Sequence, residues 1–188
     1  MDDPVNAEEV YLRYIKKRSD TDLETLLITF RDGLFLFLLS FVKSEEDAEE
    51  LLMDTFALLA VNRPHYDPKR SGSFKSWLYA IARNNALMHI RKGKMKTVPL
   101  EEEMVSDEAA PESVLLNDER NRKLYLALYS LNPEYRRALM LLYIEELSRE
   151  EIAEAMGINI RRVYNLLDRG KKTLRKTLEG MGIYDTGN

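Results

Sequence analysis

Apolar residues recur at intervals of three and four along most of this chain, the spacing of one buried helical face. Val5 to Arg18 reads as a first amphipathic helix. Thr21 and Glu24 form a capping box for a second, which continues to about Val42 through the apolar run Gly33 to Val42. Ser44 with Asp47 opens a third helix that reaches about Asn62. Pro64 ends it, because a residue before proline avoids the α region. Arg63 to Ser73, with two prolines and Gly72, is a loop, and a fourth helix runs from Phe74 to about Lys92. No alternating strand pattern persists anywhere. From Thr97 to about Asn117 the periodicity fails: Pro99, Pro111 and the acidic run Glu101 to Glu103 mark an extended linker. Helical spacing resumes from Val114 to about Leu131 and from Pro133 to about Glu146, and the tail after Gly180 is short and frayed. The pattern predicts an all-α fold of two small helical domains, residues 1–95 and 118–182, joined by a flexible acidic linker at 96–117.

The last part of the second domain is the most informative. Leu147 to Lys172 reads LSREEIAEAMGINIRRVYNLLDRGKK. Ser148 and Glu151 make a capping box, and Ile152, Ala153 and Met156 an apolar face. Ala153 is small, as two closely crossed helices require. Gly157 stands where the chain reverses and a positive φ is favoured, and Asn159 suits the N-cap of the next helix. Ile158, Val163, Leu166 and Leu167 close a small core. Arg161, Arg162, Tyr164, Asn165, Arg169 and Lys172 remain on the outer faces. A helix that presents guanidinium, amide and phenol groups near its start suits the DNA major groove. The plain alternative is an amphipathic hairpin with a solvated basic face.

Charge is uneven. The formal net charge of −4 hides three different segments. Residues 1–95 carry 14 basic and 15 acidic side chains, residues 96–120 carry 2 and 8, and residues 121–188 carry 12 and 9. Arg63 to Lys96 holds nine Lys or Arg against one Asp, and Ile158 to Lys176 seven against one. Concentrated cations of this kind bind nucleic acid whatever the overall sign. In the first of these segments, YDPKRSGSFKSWLYAIARNNALMHIRK (Tyr66 to Lys92), cations interleave with Tyr66, Phe74, Trp77 and Tyr79. Such surfaces stack unpaired bases and hold phosphates. Phe74, Leu78 and Ile81 share a helical face and are expected in the core; Trp77 fits the core and a stacking platform equally.

Composition removes other classes. There is no cysteine, which excludes disulfides and zinc–thiolate sites and suits a reducing cytoplasm. With only His65 and His89, and no H-E-x-x-H, G-x-S-x-G or phosphate loop, nothing points to an enzyme, a metal or a cofactor. The acidic N-terminus is not a signal peptide, and a ten-residue apolar run is half of what a membrane span needs. The expectation is a cytoplasmic chain with no membrane insertion.

Four stretches resemble the bacterial extracytoplasmic-function (ECF) sigma factors of the two-domain kind. DAEELLMDTF (Asp47 to Phe56) is similar to the family's A-E-D-L-V-Q-E-x-F helix, and YDPKRSGSFKSWLYAIARN (Tyr66 to Asn84) to its F-D-x-x-x-G-S-F-x-x-W-L-x-x-I-A-R-N segment. SLNPEYRRALMLLYIEELSREEIAEAMGI resembles its L-P-x-x-x-R … S-x-x-E-I-A-x-x-L-G pattern, and VYNLLDRGKKTLRKTL its terminal helix. The resemblance implies a sigma factor that directs promoter-specific initiation, with core RNA polymerase and promoter DNA as partners and an anti-sigma factor as a partner common in the family. It implies that Glu49, Glu50, Leu51, Asp54 and Phe56 dock on the polymerase clamp. It implies that Lys69, Arg70, Ser73, Phe74 and Trp77, with Asn84, Asn85, Met88, Arg91 and Lys92, meet the melted −10 element. Arg161, Arg162, Tyr164, Asn165, Arg169 and Lys172 would meet the −35 duplex. The chain departs from the family at Glu50 (usually Asp), Met53 (usually Gln), Met88 (usually Asp), Leu166 (often basic) and Gly170 (usually Ala), the last at a helix cost of about 1 kcal/mol. The rivals are a dimeric helix-turn-helix regulator independent of polymerase, which leaves YDPKRSGSFKSW without a purpose, and a helical adaptor that binds only proteins.

Overall fold

The computed structural model describes residues 6–42, 44–96 and 119–182. Residues 97–117 of the expected linker, and the tail beyond 182, lie outside them. Among the described residues there are eight helices and no strand: α1 (Ala7–Lys17), α2 (Asp20–Leu39), α3 (Glu45–Ala60), α4 (Phe74–Lys96), α5 (Glu119–Tyr129), α6 (Pro133–Tyr143), α7 (Arg149–Met156) and α8 (Ile160–Gly180). The all-α expectation holds.

Local chemistry sets most boundaries. Asn6 caps α1 by accepting from the Glu9 N–H, and Ser44 caps α3 by accepting from Asp47 N–H at 3.2 Å. α2 differs from expectation. It begins at Asp20 with Ser19 in the cap position, so Thr21 is already helical and its carbonyl accepts from the Thr25 hydroxyl at 2.8 Å. The Thr21–Glu24 capping box is therefore not formed. Asp22 instead takes a forked hydrogen bond from the Arg13 guanidinium at 2.6–3.1 Å, which ties α1 to α2 and holds the Asp22 carboxyl below its usual range.

In the first half, α2 buries Leu26, Phe30, Leu34 and Leu36 to Leu39 against α1, α3 and α4. In the second, α8 packs on α5, α6 and α7, with Val163, Leu166 and Leu167 buried. Gly170 explains itself here: a Cβ at that position would lie 3.3 Å from both Leu139 and Tyr135, so glycine lets α8 approach α6 closely. The halves touch. α7 packs along α4, and the buried apolar residues of both halves belong to one cluster.

Candidate nucleic-acid and polymerase surfaces

The loop before α4 is shaped by Asp67. Its carboxylate accepts from Lys69 N–H at 3.0 Å, and its carbonyl from Arg70 and Ser71 N–H at 3.0 and 3.1 Å. Ser73 and Ser76 then cap α4 reciprocally. Ser76 N–H donates to the Ser73 hydroxyl at 3.1 Å and Ser73 N–H to the Ser76 hydroxyl at 3.0 Å. Beneath the loop lies an aromatic cluster. Tyr11 stands 4.8 Å from Phe74 and 5.6 Å from Trp77 between ring centres, and Tyr66 stands 4.9 Å from Trp77. Rings at these separations and tilts add to the burial of their own apolar area.

That cluster decides between the two roles left open for Trp77. Phe74 and Trp77 are 2% and 8% exposed, so both brace the loop from within and neither offers a free stacking face. Lys69 and Arg70 are exposed and Ser73 is half-buried. Along α4, Asn84, Met88, Arg91 and Lys92 face solvent. Asn85 does not: it is buried, and its amide donates to the Leu51 carbonyl at 3.4 Å, joining α4 to α3. The acidic helix divides in the same way. Glu49, Glu50 and Asp54 are exposed on α3, whereas Leu51 and Phe56 are core residues of this half. Met53, which the sequence marked only as a departure, is 59% exposed among those carboxylates and supplies the apolar part of that face.

The caps and the turn of the helix-turn-helix match expectation, but the buried residues of α7 are Ile152 and Ala155, while Ala153 and Met156 are only partly buried. Ser148 accepts from Glu151 N–H at 3.2 Å while the Glu151 carboxylate accepts from Ser148 N–H at 2.8 Å. Gly157 ends α7 in the left-handed region at φ 61°. Asn159 caps α8 by accepting from Arg162 N–H at 2.9 Å. Arg161, Arg162, Tyr164, Asn165, Arg169 and Lys172 are all exposed. Arg162 donates to Glu134 at 2.6 Å, Lys172 to Asp168 at 2.8 Å, and the Arg149 guanidinium lies 5.0 Å over the Tyr164 ring. A cleft of about 300 Å³ opens between α8 and the start of α6, lined by Arg162, Asn165 and Arg169 together with Asn132, Glu134 and Tyr135. Leu166, on the inner side, is 7% exposed: at this position the chain has core in place of a cation.

Three residues to which the sequence reading assigned no role tie distant parts of the chain together. Lys75 donates to the Glu145 carbonyl at 2.9 Å, Arg83 lies against Gly157, and Arg137 donates to the Ser40 carbonyl at 2.8 Å with its guanidinium 4.1 Å over Phe41. Burial of Arg137 pushes its pKa down to about 10. All three contacts join residues far apart in the chain, which local periodicity cannot show.

Comparison with known proteins completes the picture. The family model described as Sigma-70 region 2 matches residues 28–95, and that described as Sigma-70, region 4 matches residues 121–174. The ECF RNA polymerase sigma factor SigM of Bacillus subtilis is 30% identical over 83% of this chain and 94% of its own length. The chain belongs to the ECF sigma factor family. SigW of the same organism is 25% identical over 90% of this chain and 96% of its own length. Two solved structures share the fold at a TM-score of 0.60: CnrH in complex with the cytosolic domain of CnrY (18% identity, 93% of this chain and 99% of that one), and the Bartonella quintana sigma factor RpoE with the anti-sigma factor NepR (21% identity, 84% and 97%). As an RNA polymerase sigma factor the chain directs promoter-specific initiation by binding core polymerase and promoter DNA. The region 2 match sets aside the free-standing dimeric regulator. Among the described residues no helix is long and apolar enough to cross a membrane.

Proposed function

We propose that residues 1–95 hold the polymerase clamp and capture the melted −10 strand, while residues 118–182 read the −35 duplex from the cytoplasmic side of the cell. The −10 surface consists of Lys69, Arg70 and Ser73 on the loop and Asn84, Met88, Arg91 and Lys92 on α4. Phe74, Trp77 and Asn85 act beneath it, by holding loop and helix in place. On the −35 side Arg161, Arg162, Tyr164 and Asn165 face base edges and phosphates, and Arg169 and Lys172 hold backbone. Glu49, Glu50, Asp54 and Met53 form the clamp face; Leu51 and Phe56 set its position from the core. No residue has a catalytic role.

The observation that carries this division is the exposure of the six α8 residues, all on one capped helix behind a complete helix-turn-helix, with a second cationic loop on α4. Arg and Lys forks suit guanine edges and phosphate, and Asn suits adenine. An anti-sigma factor is the expected antagonist, as for the RpoE–NepR pair. Run-off transcription with purified core polymerase on genomic fragments tests the reading. Added chain should redirect initiation to a discrete set of start sites. Unchanged start sites, or no association with core polymerase, would contradict it.

A further inference from the structure

Of the arginines on the outer face of α8, Arg162 is held by a carboxylate. One Nη of Arg162 donates to Glu134 at 2.6 Å, while Arg161 and Arg169 meet no carboxylate among the described residues. Both partners start from fixed backbone. Asn159 caps α8 by accepting from Arg162 N–H at 2.9 Å, and Asn132 caps α6 by accepting from Glu134 N–H at 2.9 Å. Glu134 lies in the first turn of α6, where the free N–H groups of a helix start favour an anion. The two helices are packed closely. Gly170 lets α8 approach Leu139 and Tyr135 of α6, and Leu166, one turn after Arg162, is 7% exposed in the cleft between them. The separation of Glu134 and Arg162 is thus set by packed backbone.

Arg162 spends one nitrogen on this contact. Its Nε and other Nη donate to nothing among the described residues, and its side chain is half exposed, lining the cleft with Asn165 and Arg169. A guanidinium holds its five N–H donors in one rigid plane, so fixing one Nη fixes the direction of the others. An unheld arginine on a DNA-facing helix settles readily on phosphate, and phosphate contacts carry no base information. A carboxylate beside the arginine repels phosphate, and a repulsive element of this kind sharpens specificity. The pair is exposed and therefore weak in water. Under a duplex, water leaves, the effective dielectric falls and the same contact strengthens.

We propose that Glu134, which lies outside the helix-turn-helix, is a positioning residue for −35 recognition: it aims the free donors of Arg162 at a base edge in the major groove and keeps them off the DNA backbone. The proposal rests on the reading of α8 as the −35 surface. Two parallel guanidinium donors match O6 and N7 of guanine, so the base pair that Arg162 reads contains guanine.

Binding of fluorescein-labelled duplexes by holoenzyme tests this. The probes are a promoter found by run-off mapping, its single base-pair substitutions across the −35 element, and a random-sequence duplex of equal length. Arg162→Ala should lower discrimination about tenfold at one guanine-containing base pair. Glu134→Ala should lower it about fivefold at that base pair and nowhere else. On the random duplex Glu134→Ala should also steepen the log–log salt slope by about 0.9, because the released arginine takes one phosphate. In the double variant discrimination should be no worse than in Arg162→Ala, and the steeper slope should vanish, since a residue that acts through Arg162 has nothing left to act on. As a control, Glu179→Ala removes an exposed carboxylate paired with Arg175 at the far end of α8 and should leave both readouts at wild type. Circular dichroism should show unchanged helix content throughout, because both pairs are exposed.

Wild-type discrimination and slope in Glu134→Ala, beside an intact loss in Arg162→Ala, would overturn the role of Glu134 and leave the −35 reading standing. Losses that multiply in the double variant would do the same. A steeper slope with discrimination unchanged would reduce Glu134 to a repulsive charge and overturn the aiming. Discrimination untouched at every −35 base pair in Arg162→Ala would remove Arg162 from the −35 surface, and the proposal with it.

Discussion

The two cationic surfaces of this sigma factor differ in what touches them. On α8 the cations meet water or their own half: Arg162 meets Glu134 and Lys172 meets Asp168, both exposed pairs. On the loop before α4, the donors of Gly72, Ser73, Lys75 and Ser76 meet carboxylates of the other half. Exposed ion pairs are worth little, so α8 is ready for a duplex as it stands. The loop's donors are already engaged. The difference matches the ligands. A −35 duplex exists before polymerase acts, whereas a −10 single strand exists only after melting, and its flipped base must be extracted at a cost of a few kcal/mol.

The largest expected effect breaks the ready surface. Replacing Arg161, Arg162 and Arg169 together by alanine should lower run-off transcription at least about a hundredfold, since each good base or phosphate contact is worth about 1–3 kcal/mol. Binding to core polymerase should be unchanged. Lys69→Ala with Arg70→Ala should cost about tenfold at the melting step. Salt titration of holoenzyme binding sharpens the contrast. Each lost α8 phosphate contact should flatten the log–log salt slope by about 0.9, and each lost loop contact by about 0.7, the values for duplex and single strand. Equal changes on both surfaces would mean that the loop meets duplex.

Packing gives the next effect. Gly170→Leu forces atoms between α8 and α6 where even a Cβ lies 3.3 Å from its neighbours, and should destabilise the chain by about 1–3 kcal/mol in urea unfolding. Gly93→Ala, also helical but with nothing within 4 Å of the new Cβ, should instead stabilise by about 1 kcal/mol. The smallest effect is acid sensitivity. The Glu151 carboxyl is held below its ordinary 4.5, so its contribution is present above that pH and is lost as pH falls through the lowered value. The urea midpoint should drop on acidification through this window, and drop less in Glu151→Gln.

Legibility in the sequence followed the range of the interactions. The ends and the turn of the helix-turn-helix could be read because its capping box, left-handed glycine and Asn N-cap each act within four residues. The start of α2 could not: Ser19, Asp20 and Thr21 are all plausible caps, and the Arg13–Asp22 contact that commits Asp22 comes from another helix. Similarity to a family marks whole segments, so it grouped Leu51, Phe56, Phe74, Trp77 and Asn85 with their exposed neighbours. Burial then separates them, because a helix that bears a functional face must also bear a core face. In the sequence Gly72 and Gly157 read as a loop residue and a turn, and Gly33 only as the start of an apolar run. Their further role is to leave room for Glu145, Glu154 and Arg83 across the interface of the halves. Nothing local encodes that.

The central claim is that one chain places two cationic surfaces on two separate promoter elements. Because the chain lacks cysteine, a cleavage reagent can be tethered singly at Arg70→Cys or at Arg169→Cys in otherwise unmodified holoenzyme. On a promoter found by run-off mapping, the reagent at position 70 should cut near −10 and the reagent at position 169 near −35. Cuts by both at the same element, or by neither, would contradict the account.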